Sequence, residues 1–256
     1  MIHPTAIVDP AARLAPDVSV GAYTLIGPEV EIGAGTWVGS HVIIEGRTRI
    51  GARNRIHPFC SLGSAPQDKK YAGEATSLEI GDGNTIREFC TFSRGTAQDK
   101  GVTSLGNDNW IMAYVHLAHD CRVGNQTIFA NNAQLAGHVR VDDFAILGGF
   151  TVVHQFVSIG AHSITAMGTI LLQDLPPYVT AAGNTAKPHG INSEGLKRRG
   201  YTPGVIAAIK AAYRTLYRSG LTLEQARQEL GRQAETCAEV GLFLEFFRHS
   251  HRGVIR

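Results

Sequence analysis

An apolar residue returns at every sixth position along most of the chain. The series runs through Val8, Leu14, Val20, Ile26, Ile32, Val38, Ile44, Ile50, Ile56 and Leu62, then Ile80, Ile86 and Phe92, then Leu105, Ile111, Leu117, Val123, Phe129, Leu135, Val141, Leu147, Val153 and Ile159, and ends at Leu171 after a lapse at Thr165. A helix would repeat apolar residues about every 3.6 positions, and a half-buried strand every second position. A six-residue repeat of this length predicts a parallel β-helix, in which each coil stacks its apolar residues on the coil beneath.

Other positions of the six-residue unit are also restricted. Four positions after the apolar residue, a small or β-branched residue recurs at Thr24, Val30, Thr36, Val42 and Thr48. Glycine directly follows the apolar residue at Gly21, Gly27, Gly33, Gly39, Gly51 and Gly63. We expect the apolar residues to form the core and these glycines to lie at corners, where a positive φ is often required.

Two segments interrupt the repeat. Between Leu62 and Ile80 the spacing stays in phase, but residues 64–78 lack the pattern. Between Phe92 and Leu105 the spacing is thirteen, so residues 93–104 shift the register by one. Both segments are predicted to leave the coil as loops, and long loops on a rigid scaffold often carry function.

The repeat stops in the segment LLQDLPPYVTAAGNTAKPHG, where three prolines indicate a connector. Beyond it, Thr202 followed by Pro203 predicts a helix start. The stretch TLEQ has the pattern of a capping box, and AEVGLFLEFFRHS predicts a third amphipathic helix. We therefore expect two domains, a β-helix over residues 1–190 and a helical domain over residues 191–256.

Composition excludes some functional classes. A formal net charge of +2 with 18% charged residues argues against binding nucleic acid through bulk charge. No apolar run approaches the roughly 20 residues that span a membrane, and the N-terminus MIHPTAIVDP is expected to have no signal-peptide core. The four cysteines, Cys60, Cys90, Cys121 and Cys237, form no C-x-x-C motif, so a reducing, cytoplasmic location is expected.

Histidines that are far apart in the sequence fall at one edge of the predicted coils. If three faces make one coil, residues eighteen apart stack about 4.8 Å from each other. His119 then lies beneath Gly137, and Gly137 lies beneath Gln155. The neighbouring columns contribute His138 and His154. Since the inward positions are apolar, this polar cluster is predicted to lie on the outside of the β-helix.

Three interpretations of the cluster remain open on this pattern alone. In the first, the histidines are surface residues that bond to loops. In the second, His116 and His119 bind zinc, as histidines do in the γ-class carbonic anhydrases, which are also hexapeptide β-helices; no residue stands out as the third ligand. In the third, one neutral histidine is a general base. Asp120 would orient that base, and the N–H of Gly137 would stabilise an oxyanion.

Five stretches of the chain together resemble one known family. They read HLAHDCRVGN, NNAQLAGHVRVDDFAILGG, VHQFVSIGAHS, PQDKKYAGE and INSEGLKRRG. They look like the UDP-N-acetylglucosamine acyltransferases that begin lipid A synthesis in Gram-negative bacteria, and the resemblance covers nearly the whole chain. Many hexapeptide acyltransferases share the coil, but the QDKKYAGE loop combined with EGLKRRG points to this family.

The resemblance implies a left-handed β-helix, a homotrimer, and an active site between neighbouring subunits. It implies transfer of an R-3-hydroxyacyl group from acyl carrier protein to the glucosamine 3-hydroxyl of UDP-N-acetylglucosamine. The thioester donor brings its own leaving group, so no metal or redox cofactor is expected.

The resemblance also implies roles for individual residues. The position matching His119 is the general base, the one matching Asp120 supports it, and the one matching Gly137 supplies the oxyanion-stabilising N–H. Substrate-binding roles are implied for His116 and His138 in the pocket, for Asp68 and Lys70 in a loop from a neighbouring subunit, and for Gln155, Asn192, Glu194 and Arg198 near the acyl chain or the nucleotide. His154 is expected to bind substrate because it belongs to the same cluster.

Two positions depart from the family pattern. Ser93 stands where the family commonly has histidine, which alters a polar contact in acceptor recognition. Met167 stands where glycine is frequent, at the far end of the acyl slot. A methionine would shorten that slot, so Met167 is predicted to act as an acyl-chain ruler that favours about ten carbons over about fourteen.

Three other functions remain alternatives. Some relatives acylate a 3-amino group in place of the 3-hydroxyl. A zinc lyase of the γ-carbonic-anhydrase type would use the histidines as ligands. A non-catalytic β-helix would bind the carrier protein or the nucleotide without chemistry.

Overall fold

The computed structural model describes residues 1–256. Three sheets, parallel except for one final strand, surround one core. The first face has nine strands: Ile7–Val8, Leu25–Ile26, Ile43–Ile44, Ser61–Ser64, Thr91–Ser93, His116–Leu117, Gln134–Leu135, Val152–Val153 and Ile170–Leu171. The second face has eight: Arg13–Leu14, Val30–Ile32, Arg47–Ile50, Ser77–Ile80, Val102–Leu105, Arg122–Val123, Arg140–Val141 and Ser158–Ile159. The third face has ten: Ser19–Val20, Trp37–Val38, Arg55–Ile56, Thr85–Ile86, Trp110–Ile111, Ile128–Phe129, Ile146–Leu147, Ile164–Thr165, Val179–Ala182 and Lys187–Ile191. The predicted left-handed parallel β-helix is confirmed.

The core consists of the residues that the six-residue repeat selects. All of its apolar members from Val20 to Leu171 are buried, as are the small residues four positions later, such as Thr24 and Val42. The lapse at Thr165 is filled by polar pairing, because the Thr165 hydroxyl lies 2.7 Å from that of Thr151 inside the coil. The repeat therefore specifies both the burial and the stacking.

The predicted reason for the glycines was wrong at most positions. Positive φ falls on the third residue after the apolar one, and this residue is usually not glycine, as at Asp120 (φ 61°) and His138 (φ 61°). Gly21, directly after an apolar residue, has no positive φ. A Cβ there would lie 2.6 Å from the backbone carbon of Gly39 in the next coil. Glycine is needed at such a corner because two coils approach closely, with no room for a side chain.

Both predicted loops leave the coil, within narrower bounds than expected. Strand pairing continues to Ser64 and resumes at Ser77, so the first loop covers residues 65–76. The second covers residues 94–101. Parallel pairing satisfies backbone groups at the loop ends, which extends the strands beyond the apolar pattern.

The region beyond the coil contains more structure than predicted. The segment read as a connector forms an antiparallel pair of strands, Val179–Ala182 with Lys187–Ile191, which extends the third face. Four α-helices and a short 3₁₀ helix follow: α1 Ser193–Arg198, α2 Pro203–Arg218, α3 Leu223–Ala234, the 3₁₀ helix Ala238–Val240, and α4 Gly241–His249. Pairing to the last coil outweighs the prolines, since an edge strand tolerates Pro188.

The predicted helix caps are present. Thr202 caps α2 by accepting from the N–H of Val205, and Thr222 with Gln225 forms a complete capping box on α3. None of the helices is both long enough and apolar enough to cross a membrane. The division at residue 190 remains a prediction about domain organisation, although the last strand ends at Ile191.

Candidate active site

His119 and Asp120 lie at the corner that joins the first and second faces. Strand pairing aligns Leu117 with Leu135 and Leu135 with Val153. Each corner residue therefore has a counterpart eighteen positions later, and His138 donates its backbone N–H to the carbonyl of His119 at 3.0 Å. The predicted column is present.

The imidazole of His119 is oriented by the carboxylate of Asp120. His119 Nδ1 lies 2.9 Å from Asp120 Oδ2, and the His119 side chain is 16% exposed. Donation from Nδ1–H to the carboxylate leaves the hydrogen off Nε2 in the neutral ring. Nε2 then has a free lone pair, as a general base requires.

Asp120 is itself fixed in place. Its side chain is fully buried, and the Thr96 hydroxyl donates to Oδ2 at 2.6 Å, while the Thr96 N–H donates to Oδ1 at 3.0 Å. The backbone N–H of Asp120 donates to the Thr103 hydroxyl at 2.8 Å. Both threonines flank or belong to the loop of residues 94–101, so this loop holds the group that orients His119.

His138 completes the cluster from the next coil. Its ring packs edge-on against that of His119, with centroids 5.1 Å apart, and stacks on Phe156. His138 Nδ1 lies 3.2 Å from Asp99 Oδ2, and Asp99 also accepts from Arg122. Burial alone would raise the pKa of Asp99, but the hydrogen bond to His138 and the charge of Arg122 outweigh it and lower that pKa.

Gly137 lies directly against the His119 ring. A Cβ at Gly137 would be 2.6 Å from His119 Cε1 and 2.7 Å from Nε2, so a side chain here would cover the base nitrogen. The Gly137 N–H donates to no acceptor of the chain. A backbone N–H beside the base, with no partner, suits the stabilisation of a developing oxyanion.

These residues open into a cleft of about 1320 Å³. Of the predicted site residues, His119, Asp120, His138, Gln155, Asp68 and Lys70 line it. The loop of residues 65–76 was expected to reach the substrate of a neighbouring subunit. In the structure, this loop lines the cleft of its own chain together with His119, and its contact with a neighbouring subunit's substrate stays a prediction.

Other predicted site residues lie outside this cleft. His116 faces outward from the first face, where its Nδ1 lies 2.7 Å from the Thr91 hydroxyl and burial lowers its pKa. Asn192 caps α1, and its amide donates to the carbonyl of His162. The remaining members lie at the surface or beside the cleft: Glu194 pairs with Lys197, Arg198 is exposed, Met167 is 78% exposed, and His154 contacts Arg252.

The zinc interpretation is altered by the structure. His116 bonds to Thr91 and does not join His119 in a ligand group. The residues whose ligand atoms lie within 4.8 Å of one another are His119, Asp120 and His138. This group has the three protein ligands of a catalytic zinc site, but Asp120 Oδ2 already accepts from Thr96 and contacts His119.

Three functional candidates were not identified from the sequence. Thr96 fixes Asp120, Asp99 contacts His138, and Arg252 lines the cleft from the C-terminal end. The interruption of the repeat between Phe92 and Leu105 marked the loop that holds Thr96 and Asp99, and its polar residues were the available signal. Arg252 had no such signal.

Two family models match segments of the chain, one within the β-helix and one over the C-terminal region. Residues 103–137 match the model of the bacterial transferase hexapeptide (six repeats) family. Residues 174–255 match domain 2 of the UDP-N-acetylglucosamine O-acyltransferase family. Both matched families are transferases, and the one that matches the C-terminal region is an O-acyltransferase.

Relatives that span the full length agree. The chain is 64% identical over 255 residues to the acyl-(acyl-carrier-protein)–UDP-N-acetylglucosamine O-acyltransferase of Thiobacillus denitrificans, covering 100% of this chain and 99% of that protein. The same enzyme of a Janthinobacterium species is 62% identical, with the same coverage. The crystal structure of UDP-N-acetylglucosamine O-acyltransferase from Moraxella catarrhalis superimposes with a TM-score of 0.97 at 46% identity, covering 100% of this chain and 99% of that one. On this sequence identity and this fold, the chain belongs to the UDP-N-acetylglucosamine O-acyltransferase family.

Proposed function

We propose that the protein transfers an R-3-hydroxyacyl group from acyl carrier protein to the 3-hydroxyl of UDP-N-acetylglucosamine, in lipid A biosynthesis. The names of its full-length relatives state the carrier-protein donor and the nucleotide-sugar acceptor. The observation that carries the proposal is the contact of His119 Nδ1 with the buried Asp120 carboxylate, which leaves Nε2 free beside Gly137.

The reaction follows from this geometry. His119 Nε2 takes the proton of the acceptor hydroxyl as its oxygen attacks the thioester carbon. The N–H of Gly137 donates to the oxyanion of the tetrahedral intermediate. When the carbon–sulfur bond breaks, the proton on His119 passes to the leaving thiolate. Asp120 stabilises the imidazolium that exists between these two proton transfers. No cofactor enters this balance.

The polar residues of the cleft suit these substrates. Asp68 can accept a hydrogen bond from the β-hydroxyl of the donor, and Lys70 adds positive charge to the same loop. His138 and Gln155 line the wall beside His119, where they reach the acceptor sugar. Ser93, which replaces the family's usual histidine, is buried and cannot extend as far into the cleft as histidine would.

We further propose a homotrimer with the site completed between subunits. Met167, Asn192, Glu194 and Arg198 do not line the cleft of His119 within one chain, whereas a neighbouring subunit can bring them to its cleft. His116 lies outside the cleft but near enough to His119 that, after burial, the charge of that ring lowers its pKa. Two faces of the β-helix carry exposed apolar side chains, at Ile7, Leu25, Ile43 and Val152 on the first and Trp37 and Trp110 on the third. Such rows mark protein interfaces, and light scattering should give three times the chain mass.

We propose a cytoplasmic location, because all four cysteines are free.

A 3-amino UDP-sugar is an alternative acceptor, since the base and the oxyanion donor would serve it equally. The second candidate of a different class is a zinc lyase, favoured only by the grouping of His119, Asp120 and His138. Acyl transfer that is retained after chelation supports the acyltransferase. A lyase activity that is lost on chelation and restored by zinc supports the zinc lyase.

One assay tests the main proposal. Purified protein is incubated with UDP-N-acetylglucosamine and a panel of R-3-hydroxyacyl carrier proteins, and mass spectrometry identifies the linkage of the product. We expect an ester at the 3-position, and at least about a 100-fold lower rate for His119→Ala with an unchanged circular dichroism spectrum. Full activity in His119→Ala would rule out its role as the base. Absence of any acylated sugar with the wild type would refute the proposed reaction.

A further inference from the structure

The last residues of the chain return to the β-helix beside the cleft. We name residues 250–256 the C-terminal strap. The fully buried carboxylate of Asp174 holds the C-terminal strap in place. The Ser250 hydroxyl donates to Asp174 Oδ2 at 2.6 Å, and the Arg252 N–H donates to the same oxygen at 3.2 Å. The other oxygen accepts from the N–H of Ser158 at 2.7 Å. Asp174 thus joins the strap to the last coils.

Backbone pairing and apolar burial hold the strap as well. The Asp174 N–H donates to the Gly253 carbonyl at 2.8 Å, and the Ile255 N–H donates to the Asp174 carbonyl at 3.0 Å. Val254 is 5% exposed and Ile255 is 2% exposed. Chain termini usually fray unless they are tied down in this way. The strap is therefore a built part of the site wall.

This anchoring places the side chain of Arg252 in the cleft that contains His119. Arg252 Nη2 lies 3.2 Å from His154 Nδ1, and no carboxylate lies within ion-pair distance of its guanidinium. The same His154 nitrogen lies 3.1 Å from the Gln155 carbonyl, and the imidazole brings no negative charge to the guanidinium. Lys69, Lys70 and Lys100 line the same cleft without a carboxylate partner.

We infer that Arg252, held by the C-terminal strap, is an anion-binding residue of the cleft that takes a phosphate group of a substrate. A guanidinium binds phosphate through two parallel hydrogen bonds, and its charge is otherwise uncompensated here. The inference rests on the proposed function, which supplies two sources of this chemistry: the diphosphate of the nucleotide sugar and the phosphodiester of the carrier's pantetheine arm.

Binding measurements with two probes test the inference. Titration calorimetry gives the Kd of UDP-N-acetylglucosamine and of 4′-phosphopantetheine for the full-length wild type, Arg252→Ala and Arg252→Lys. Arg214→Ala is the matched control, since Arg214 is exposed on α2, outside the cleft, and its loss changes the net charge equally. Arg252 is exposed, so its substitution leaves the core intact, and thermal unfolding checks this.

We expect Arg252→Ala to raise the Kd of one probe about 10-fold or more, with partial recovery in Arg252→Lys and no change in Arg214→Ala. The probe affected identifies the source of the phosphate. Unchanged Kd values for both probes, or an equal rise in Arg214→Ala, would overturn the inference. Because binding is read without turnover, failure of the wild type to transfer an acyl group would refute the proposed reaction separately.

Discussion

The α-carbon of Gly137 packs against the imidazole of His119, on the next coil of the β-helix, so that a Cβ there would lie 2.7 Å from His119 Nε2. Carbon and nitrogen in non-bonded contact need about 3.5 Å. The absence of a side chain at Gly137 is therefore what leaves the base nitrogen open. The backbone N–H of Gly137 also has no acceptor in the chain.

Gly137→Ala should lower kcat by about 100-fold or more, because the new methyl group covers Nε2 or displaces the ring. Initial rates at saturating substrate measure this. Gly231→Ala on α3 is the control, since a Cβ there meets no atom within 4 Å and alanine favours a helix. Equal activity of wild type and Gly137→Ala would contradict the proposed arrangement of base and oxyanion donor.

Thr96→Val should reduce kcat about 10-fold while KM for the acceptor changes little. Valine keeps the shape of the side chain but removes the hydroxyl that donates to Asp120 at 2.6 Å, and Thr96 does not line the cleft. Steady-state kinetics separate the two constants. Thr236→Val, which removes a hydroxyl exposed far from the site, should behave as wild type; a rise in KM alone for Thr96→Val would argue against a positioning role.

Stability should fall in acid because of His162. Burial, with a smaller contribution from the charge of Arg199, lowers the pKa of His162 to about 4, against an ordinary value near 6.5. Between these values the unfolded chain binds more protons, so the free energy of unfolding decreases as the pH falls from about 6.5 to about 4. The decrease from this group is about 3 kcal/mol at most.

His162→Phe should remove that part of the pH dependence, because phenylalanine retains the stack between Phe144 and Tyr178. Chemical denaturation at a series of pH values from 4 to 7.5 measures it. The exposed residue His3, changed to Phe, is the control and should leave the slope unchanged. If the His162→Phe profile runs parallel to that of wild type, His162 is not the group responsible.

Met167→Gly should shift the preferred donor toward longer acyl chains, from about ten carbons toward about fourteen, by about 10-fold in relative kcat/KM. Met167 is exposed in one chain, so its role as a ruler requires a neighbouring subunit to cover it. Competition among carrier proteins that bear different chains measures the preference. Met167→Leu should keep the wild-type preference, and an unchanged preference in Met167→Gly would dismiss the ruler.

The column through His119, Gly137 and Gln155 was predictable, because a coil of three six-residue faces repeats every eighteen positions. Apolar periodicity reports which side chains point inward, and this fixes the rest of the register. It does not report loop conformation, so the hydrogen bonds from Thr96 to Asp120 and the contact of Asp99 with His138 were not foreseen.

The position of Arg252 was also beyond prediction. It depends on hydrogen bonds between Asp174 and residues 76 and 78 positions later, Ser250 and Arg252, and no repeat relates them. The strand pair 179–191 was missed for a related reason, since its pairing with the last coil overrides the local preference of its prolines and glycines.

The stacking of coils constrains how chains of this family can change in length. One residue inserted between His119 and Leu135 would turn the following side chains to the opposite side and separate His119 from Gly137. Residues added to the loop 65–76 would leave His119 aligned with Gly137, because the strands on either side of the loop keep their partners. Evolutionary insertions and deletions should therefore be confined to the loops, or come as complete coils that leave the catalytic corner unchanged.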